Sequence, residues 1–436
     1  MKNNNPKVLV ISSVDPSIGP AVVGLEHYMA LKNAGIDVDF LTKYPVDGHP
    51  EFISVYDKKP GGKHNLAARL TKKVINVLHP FKPKKQVPDY FFFYKKESIP
   101  PVPAYKVLER VQKQYDVVYV VFWQELLSFA TIEALYDKLK CQFQFRCVDY
   151  SPMSGGCHFT GSCLRYQVGC GQCPGVYSNN KNDFTSWNVK YRKRVYEKVR
   201  PIVYGNTYMN SFYKKSYLLR NYDRLETVLP LVDVNKYSPQ NIVDVRRKYS
   251  IPSEKDFIVF FGSQSLSDER KGISYLLESL KILYDALKLE ERNQILLILA
   301  GRDIDAIKKH LCFDYLYLGY VNPVDLPGIY SMSNVFLSPS VNDAGPSMVN
   351  QAMACGTPIV AFEMGTALDV VKGRGTGYCA KLRDSKDFAY GIKEIFQLST
   401  TEYKDLRIHC RNTALELTSP NSFVQSFLCI YNKYCS

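Results

Sequence analysis

NDAGPSMVNQAMACGTPIVAF, residues 342–362, is the stretch whose reading decides the fold. A loop of small residues runs into a short apolar-periodic segment. Gly356-Thr357-Pro358 follows, and then the apolar run Ile359–Phe362. Met348, Ala352 and Cys355 fall at helical spacing and should face a core. Pro346 and Ser347 suit a helix opening, one by its fixed φ and the other by capping. Gly356 suits the helix end, and Pro358 forbids continuation. Such a helix start carries unpaired N–H groups and about half a positive charge. It is an anion site, and phosphate is its usual guest. A plain helix of an α/β layer with nothing bound fits the same residues.

The same rhythm extends through the second half. Apolar runs read as strands at Phe257–Gly262, Ile295–Ala300, Tyr315–Leu318, Val335–Leu337 and Ile359–Phe362. Helical patterns fall at Ile273–Leu287, Val324–Met332, Met348–Ala354 and Ser385–Gln397. Continuous apolar strands alternating with helices mean a parallel sheet covered on both faces. The first half begins likewise: strand Lys7–Ser12, the glycine-containing loop DPSIGPAVVG, helix Leu25–Asn33, strand Ile36–Leu41. Strands at Val117–Phe122, Gln142–Val148 and Ile202–Tyr204 follow, with helices at Leu126–Leu139 and Trp187–Lys198. Two doubly wound domains in tandem are expected, and the cleft between them is the default ligand site. The expected domains are 1–232 and 233–415. A helix in 416–436 is expected to pack back toward the first domain.

At 436 residues, two domains are the natural prior. The composition, 46% hydrophobic and 22% charged, excludes collagen-like, disordered and repeat classes. No apolar run reaches the length of a membrane-spanning helix. MKNNNPKVLVISS is too quickly polar for a signal peptide, so a cytoplasmic protein is expected. The net charge of +14 favours anionic partners. Between Lys58 and Lys113 there are 14 Lys/Arg against three acids, with Tyr90-Phe91-Phe92-Phe93-Tyr94 interleaved. That mixture suits peripheral contact with an acidic membrane surface, or a solvated basic face. Single-stranded nucleic acid is the least favoured partner.

Three strand ends in the second half carry loops fit for a phosphate-bearing ligand. In FFGSQSLSDERKGISYLL (260–277), Gly262-Ser263 ends a strand and Arg270-Lys271-Gly272 opens a helix. Two cations at a helix start oppose the macrodipole, a balance that a bound diphosphate reverses. LAGRD (299–303) repeats the pattern, and Pro339-Ser340 precedes Asn342-Asp343.

In this order the motifs GS…RKGISYLLESL, LGYV…DLPGIYSMSNVFLSPS and NDAGPSMVNQAMACGTPIVAF resemble the family 4 retaining glycosyltransferases of the GT-B fold. The resemblance implies two Rossmann-like domains facing across a cleft. It also implies two family glutamates, eight positions apart, one on the sugar hydroxyls and one on the nucleotide ribose. By position these fall on Asp343 and Gln351, and both depart from the pattern. Asp343 keeps the charge on a shorter arm, whereas Gln351 keeps hydrogen bonding and loses the charge. The diphosphate-binding cation falls on Lys271, with Arg270 as helper. Gly262, Ser263 and the N–H groups around Pro346, Ser347 and Met348 would receive the phosphates or the sugar.

CVDYSPMSGGCHFTGSCLRYQVGCGQCP (147–174) resembles a stretch in a bacterial branch of that family. The branch carries a His-Asp pair where this chain has Val148-Asp149, so Asp149 remains as the acceptor-side residue. Gly19 sits where the family has its glycine-rich acceptor-side loop. Cys157, Cys163, Cys170 and Cys173, with His158 adjacent, form a Cx5Cx6CxxC array. The array suits one tetrahedral structural zinc, an iron–sulfur cluster, or free or paired thiols.

The function implied is sugar transfer from a nucleotide-sugar donor to a glycan or lipid-linked acceptor. Retention is implied, and no divalent metal is needed at that step. The setting implied is bacterial capsule or surface polysaccharide assembly at the inner membrane. A non-catalytic GT-B scaffold or sugar-binding protein is the alternative, because of Val148 and Gln351. A GT-B epimerase or phosphorylase fits less well: no pyridoxal lysine site is identifiable.

Overall fold

The computed structural model describes residues 5–13, 22–59, 96–146 and 149–435. Gly19, Val148 and most of the basic aromatic stretch lie outside them. The chain divides into two units. One comprises 1–205, 209–227 and 424–436, and the other 206–208 and 228–423.

The first unit holds a parallel seven-stranded sheet in the order β3-β2-β1-β4-β5-β6-β7. Its strands are β1 Val8–Ser12, β2 Val38–Thr42, β3 Ile53–Ser54, β4 Val117–Phe122, β5 Gln142–Arg146, β6 Ile202–Gly205 and β7 Leu225–Thr227. The order reverses direction between β1 and β4, the place where open α/β sheets bind ligands. The last helix, Pro420–Tyr434, returns to this unit from Val424 onward. There Phe427 meets Tyr119 edge-on, and Lys433 pairs with Glu226 at 2.7 Å.

The second unit holds β8 Phe257–Ser265, β9 Ile295–Arg302, β10 Tyr315–Gly319, β11 Val335–Ser338, β12 Ile359–Phe362 and β13 Gly377–Ala380. They are parallel, in the order β10-β9-β8-β11-β12-β13, reversing between β8 and β11. The apolar runs are continuous because the sheet is buried on both faces. Ile258 and Phe260 enter one core with Ile298, Ala300, Ile359 and Ala361. Phe257, Val259 and Phe261 enter the other with Leu297, Leu299, Val360 and Phe362. Successive residues of a strand point to opposite faces, so two cores require no polar position in between.

Among the elements absent from the sequence reading are a strand, β13, and a long helix, Thr400–Leu417. β13 is only four residues long, too short to stand out by periodicity. The helix Thr400–Leu417 buries only a few residues, and its apolar stripe is thin. Its start is nonetheless legible as a capping box, Ser399 with Glu402 three residues on. The helix expected at Met348–Ala354 begins one residue earlier, at Ser347. It is buried on more sides than expected: Val349, Asn350, Ala352, Met353 and Ala354 are all inside, whereas Met348 is half-buried.

Candidate functional site

The loops beyond β8, β11 and β12 are stitched together by backbone. β8 leads to a 3-10 turn, Glu269–Lys271, capped by Asp268. Gly272 follows with φ 72°, and a Cβ there would lie 1.8 Å from the Pro339 carbonyl oxygen. Only glycine lets the turn sit against the end of β11. The Arg270 carbonyl accepts from Val341 N at 2.8 Å and Asn342 N at 3.3 Å. The turn and the 340s loop therefore form one platform.

On that platform Lys271 Nζ donates to Asp343 Oδ2 at 2.5 Å, and Gly345 N donates to Asp343 Oδ1 at 3.0 Å. Burial alone would raise the Asp343 carboxyl. The charge and hydrogen bond of Lys271, the Gly345 N–H and nearby Arg270 outweigh it and hold the group below its ordinary value. Arg270 Nη2 pairs with Asp268 Oδ2 at 2.7 Å. Each cation that sat uneasily at a helix start thus has an acid beside it.

The helix Ser347–Ala354 starts from Pro346 with no side-chain cap among the described residues. Asn206 Nδ2 holds the Ala344 carbonyl at 2.7 Å, and Gly345 adopts φ 152° beside Thr366. Gly262 is bare because Met348 fills the space its Cβ would take: the methyl would stand 2.6 Å away. The Ser263 hydroxyl is buried without a partner among the described residues, as is that of Thr366. Gln351 Oε1 accepts from the buried Tyr330 hydroxyl at 3.1 Å, which turns its amide oxygen toward the core.

The structure thus brings Gly262, Ser263, Arg270, Lys271, Asp343, Pro346, Ser347 and Met348 to one end of the second sheet. Thr366 was missed by sequence reading, and its signal was a glycine-bearing loop, Glu363-Met364-Gly365, after a buried strand.

Asp149 lies in the first unit, beyond β5, with a side chain 2% exposed. It accepts from His158 Nδ1 at 2.8 Å, Gln124 Nε2 at 3.1 Å and Ser151 N at 2.7 Å.

The metal expectation finds no support. Cys157, Cys163, Cys170 and Cys173 do line one small cavity. Among the described residues, however, no group of three or more His, Cys, Asp or Glu is arranged to hold a metal ion. Burial raises the Cys157 thiol and pushes Cys170 up to about 12 and Cys173 to about 11. The loop is organised instead by the start of the helix Phe184–Val199. Asp183 accepts from Cys173 N at 2.9 Å, and Thr185 Oγ1 accepts from Gly171 N at 3.0 Å.

Several of the described cations of the basic stretch are also partnered. Arg110 pairs with Asp57, Lys113 pairs with Asp39, and Lys106 lies over the Tyr56 ring. No helix among the described residues is long and apolar enough to cross a membrane.

Residues 242–414 match the family model of the glycosyl transferases group 1. A glycosyltransferase of Methanocaldococcus jannaschii is 26% identical over 170 residues, 37% of this chain and 41% of that one. A 41.2 kDa protein in the cps region of Klebsiella pneumoniae is 21% identical over 59% of this chain and 71% of its own length. The O-antigen chain mannosyltransferase B of Escherichia coli is 28% identical over 32% and 36%. The chain therefore spans about two fifths of the first and third of these relatives. Sucrose-phosphate synthase of Thermosynechococcus elongatus superposes with a TM-score of 0.64 at 17% identity, covering 98% of both chains. An Anabaena protein in complex with UDP and glucose superposes with a TM-score of 0.60 at 13% identity, over 98% and 100%. The fold is GT-B, an α/β architecture of two Rossmann-like domains. The group 1 match is confined to residues 242–414, within the second unit.

Proposed function

We propose that the chain transfers a sugar from a nucleotide-sugar donor to a glycan or lipid-linked acceptor in surface polysaccharide assembly. The observation that carries this is the gathering, at the β8–β11 reversal, of the Lys271 cation, a helix start with no side-chain cap and a Ser263 hydroxyl with no partner among the described residues. A diphosphate supplies acceptor oxygens to the helix-start N–H groups and the Ser263 hydroxyl, and a further anionic partner to Lys271 beside Asp343. Lys271 and Arg270 stabilise the charge that develops on the leaving diphosphate, and in this reading no divalent ion is required for that step. Asp343, fixed by Lys271 and Gly345 N, receives sugar hydroxyls. Ser347 and Met348 N–H groups meet the phosphates or the sugar, and Gln351 faces the ribose. Retention rests on the family resemblance. The UDP and UDP-glucose complexes of the Anabaena neighbour, and the O-antigen and cps names among the relatives, support the donor and the pathway class.

The test is nucleotide release from a panel of UDP-, GDP- and dTDP-sugars, with and without membrane lipid extract. Release with one donor is expected, unchanged by EDTA. Lys271→Ala should lower it about 100-fold, the scale of losing one charge-stabilising group, and Asp343→Ala should lower it less. A second reading, a sugar-binding GT-B scaffold, draws on the Tyr330 hydrogen bond that turns the Gln351 amide oxygen toward the core. It predicts no release with any donor.

A further inference from the structure

We propose that a basic and apolar face of the first unit, centred on Tyr217, docks on a lipid bilayer with anionic headgroups. Three segments build this face. Leu164 and Val168 stand at the two ends of one 3-10 turn, Arg165–Gln167, and are 64% and 68% exposed. Tyr217 N donates to the Tyr166 carbonyl at 2.9 Å, and Arg220 Nη2 donates to the Gln167 carbonyl at 2.9 Å. Lys193 Nζ and the Arg220 guanidinium both lie over the Tyr217 ring, 5.0 and 5.5 Å from its centre. Lys193 belongs to the helix Phe184–Val199, on which Trp187 and Lys190 are also exposed. Residues three apart are neighbours on a helix surface, so Trp187, Lys190 and Lys193 form one row. Trp187 is 65% exposed, and its Nε1 donates to the Asn182 carbonyl at 2.8 Å.

The charge on this face has one sign. Residues 161–182 and 209–222 contain Arg165, Lys181, Lys214, Lys215 and Arg220 and no Asp or Glu. The helix adds a single acid, Glu197. Its Arg194 and Lys198 are taken by Glu133, and Arg192 is buried on Glu97. Among the described residues no ion pair engages Lys190, Lys193 or Arg220. Two cations over one ring repel each other, and a merely solvated face would interleave acids with them. An anionic surface relieves that repulsion. A small anion would leave Leu164, Val168 and Trp187 in water, whereas a bilayer interface offers apolar depth beside its phosphates. An indole with its N–H satisfied and its ring free suits the headgroup level. Nucleic acid fits less well, because stacking needs free aromatic faces and two cations occupy that of Tyr217.

The experiment is flotation of the whole chain with vesicles of phosphatidylcholine, alone or mixed with phosphatidylglycerol, and with no nucleotide or acceptor present. The mixed vesicles should carry the protein, the neutral ones should not, and added salt should weaken the binding. Each cation near such a surface multiplies partitioning about fivefold, so Lys190→Gln with Lys193→Gln should lower it about 25-fold. Leu164→Ser with Val168→Ser should lower it about tenfold. All four side chains are exposed, so both variants should keep the wild-type melting temperature. Mixed vesicles should shift the tryptophan emission to shorter wavelength, and Trp187→Phe should lose that shift, because Trp123 is buried already. Wild-type partitioning in either double variant would overturn the proposal. So would a chain that ignores the mixed vesicles, or one that binds a thymidine oligonucleotide through the same two lysines and leaves the vesicles alone. Any of these results leaves the donor site of the second unit untouched, since no nucleotide takes part.

Discussion

Asp343 stands where the family resemblance places a longer acid, and its shorter arm is already engaged by Lys271 and Gly345 N. Its pKa is depressed on folding, so its contribution to stability is present above its unfolded value near 4. It is lost as pH falls through the lower folded value. Asp343→Asn should therefore cost about 1–3 kcal/mol at pH 7, where the half-buried Lys271 loses its charged partner. The variant should also show a shallower loss of melting temperature between pH 5 and 3; an acid limb identical to wild type would refute this. Gly272→Ala should lower the melting temperature more than any solvent-facing substitution, because the methyl meets the Pro339 backbone and the positive φ is strained. The sequence announced Lys271 and Asp343 through motif order. It did not announce that each cation would bring its own acid, because an ion pair between residues 72 positions apart leaves no local pattern. His158 was visible only as a neighbour of cysteines, since its meaning lies in a partner nine residues back.

Elements were legible where burial is complete. β4 and β12 run as read, because strands buried on both faces are uninterrupted apolar runs. β13 and the helix Thr400–Leu417 were not, because one is four residues long and the other carries a thin apolar stripe. The cysteine loop misled for a related reason. Four thiols at close spacing suggest a metal, whereas the organising groups are Asp183 and Thr185, outside the array. Asp183→Ala removes acceptors for Thr185 N, Ser186 N and Cys173 N. It should destabilise the first unit by about 2 kcal/mol. Chelators should leave the melting temperature unchanged, and a chelator-induced drop would restore the metal reading.

For the whole molecule, the doubly wound pattern in both halves was legible because each half repeats strand and helix at a spacing only parallel sheets accommodate. The unit division falls at Thr227/Val228 and again within the last helix. That second crossing has a consequence. Both tryptophans, Trp123 and Trp187, belong to the first unit, so their fluorescence reports on it alone. Ending the chain after Phe423 removes Phe427 from Tyr119 and Lys433 from Glu226. The tryptophan-monitored melt should fall while nucleotide binding persists; an unchanged melt would mean that the returning helix contributes nothing there.

The central claim is that Lys271 and its surroundings form a diphosphate site. The most direct measurement is calorimetric titration of wild type and Lys271→Ala with UDP and GDP. The account predicts that wild type binds at least one of them and that Lys271→Ala binds it at least tenfold more weakly. Equal affinity in the two proteins, or no binding by wild type, would contradict it.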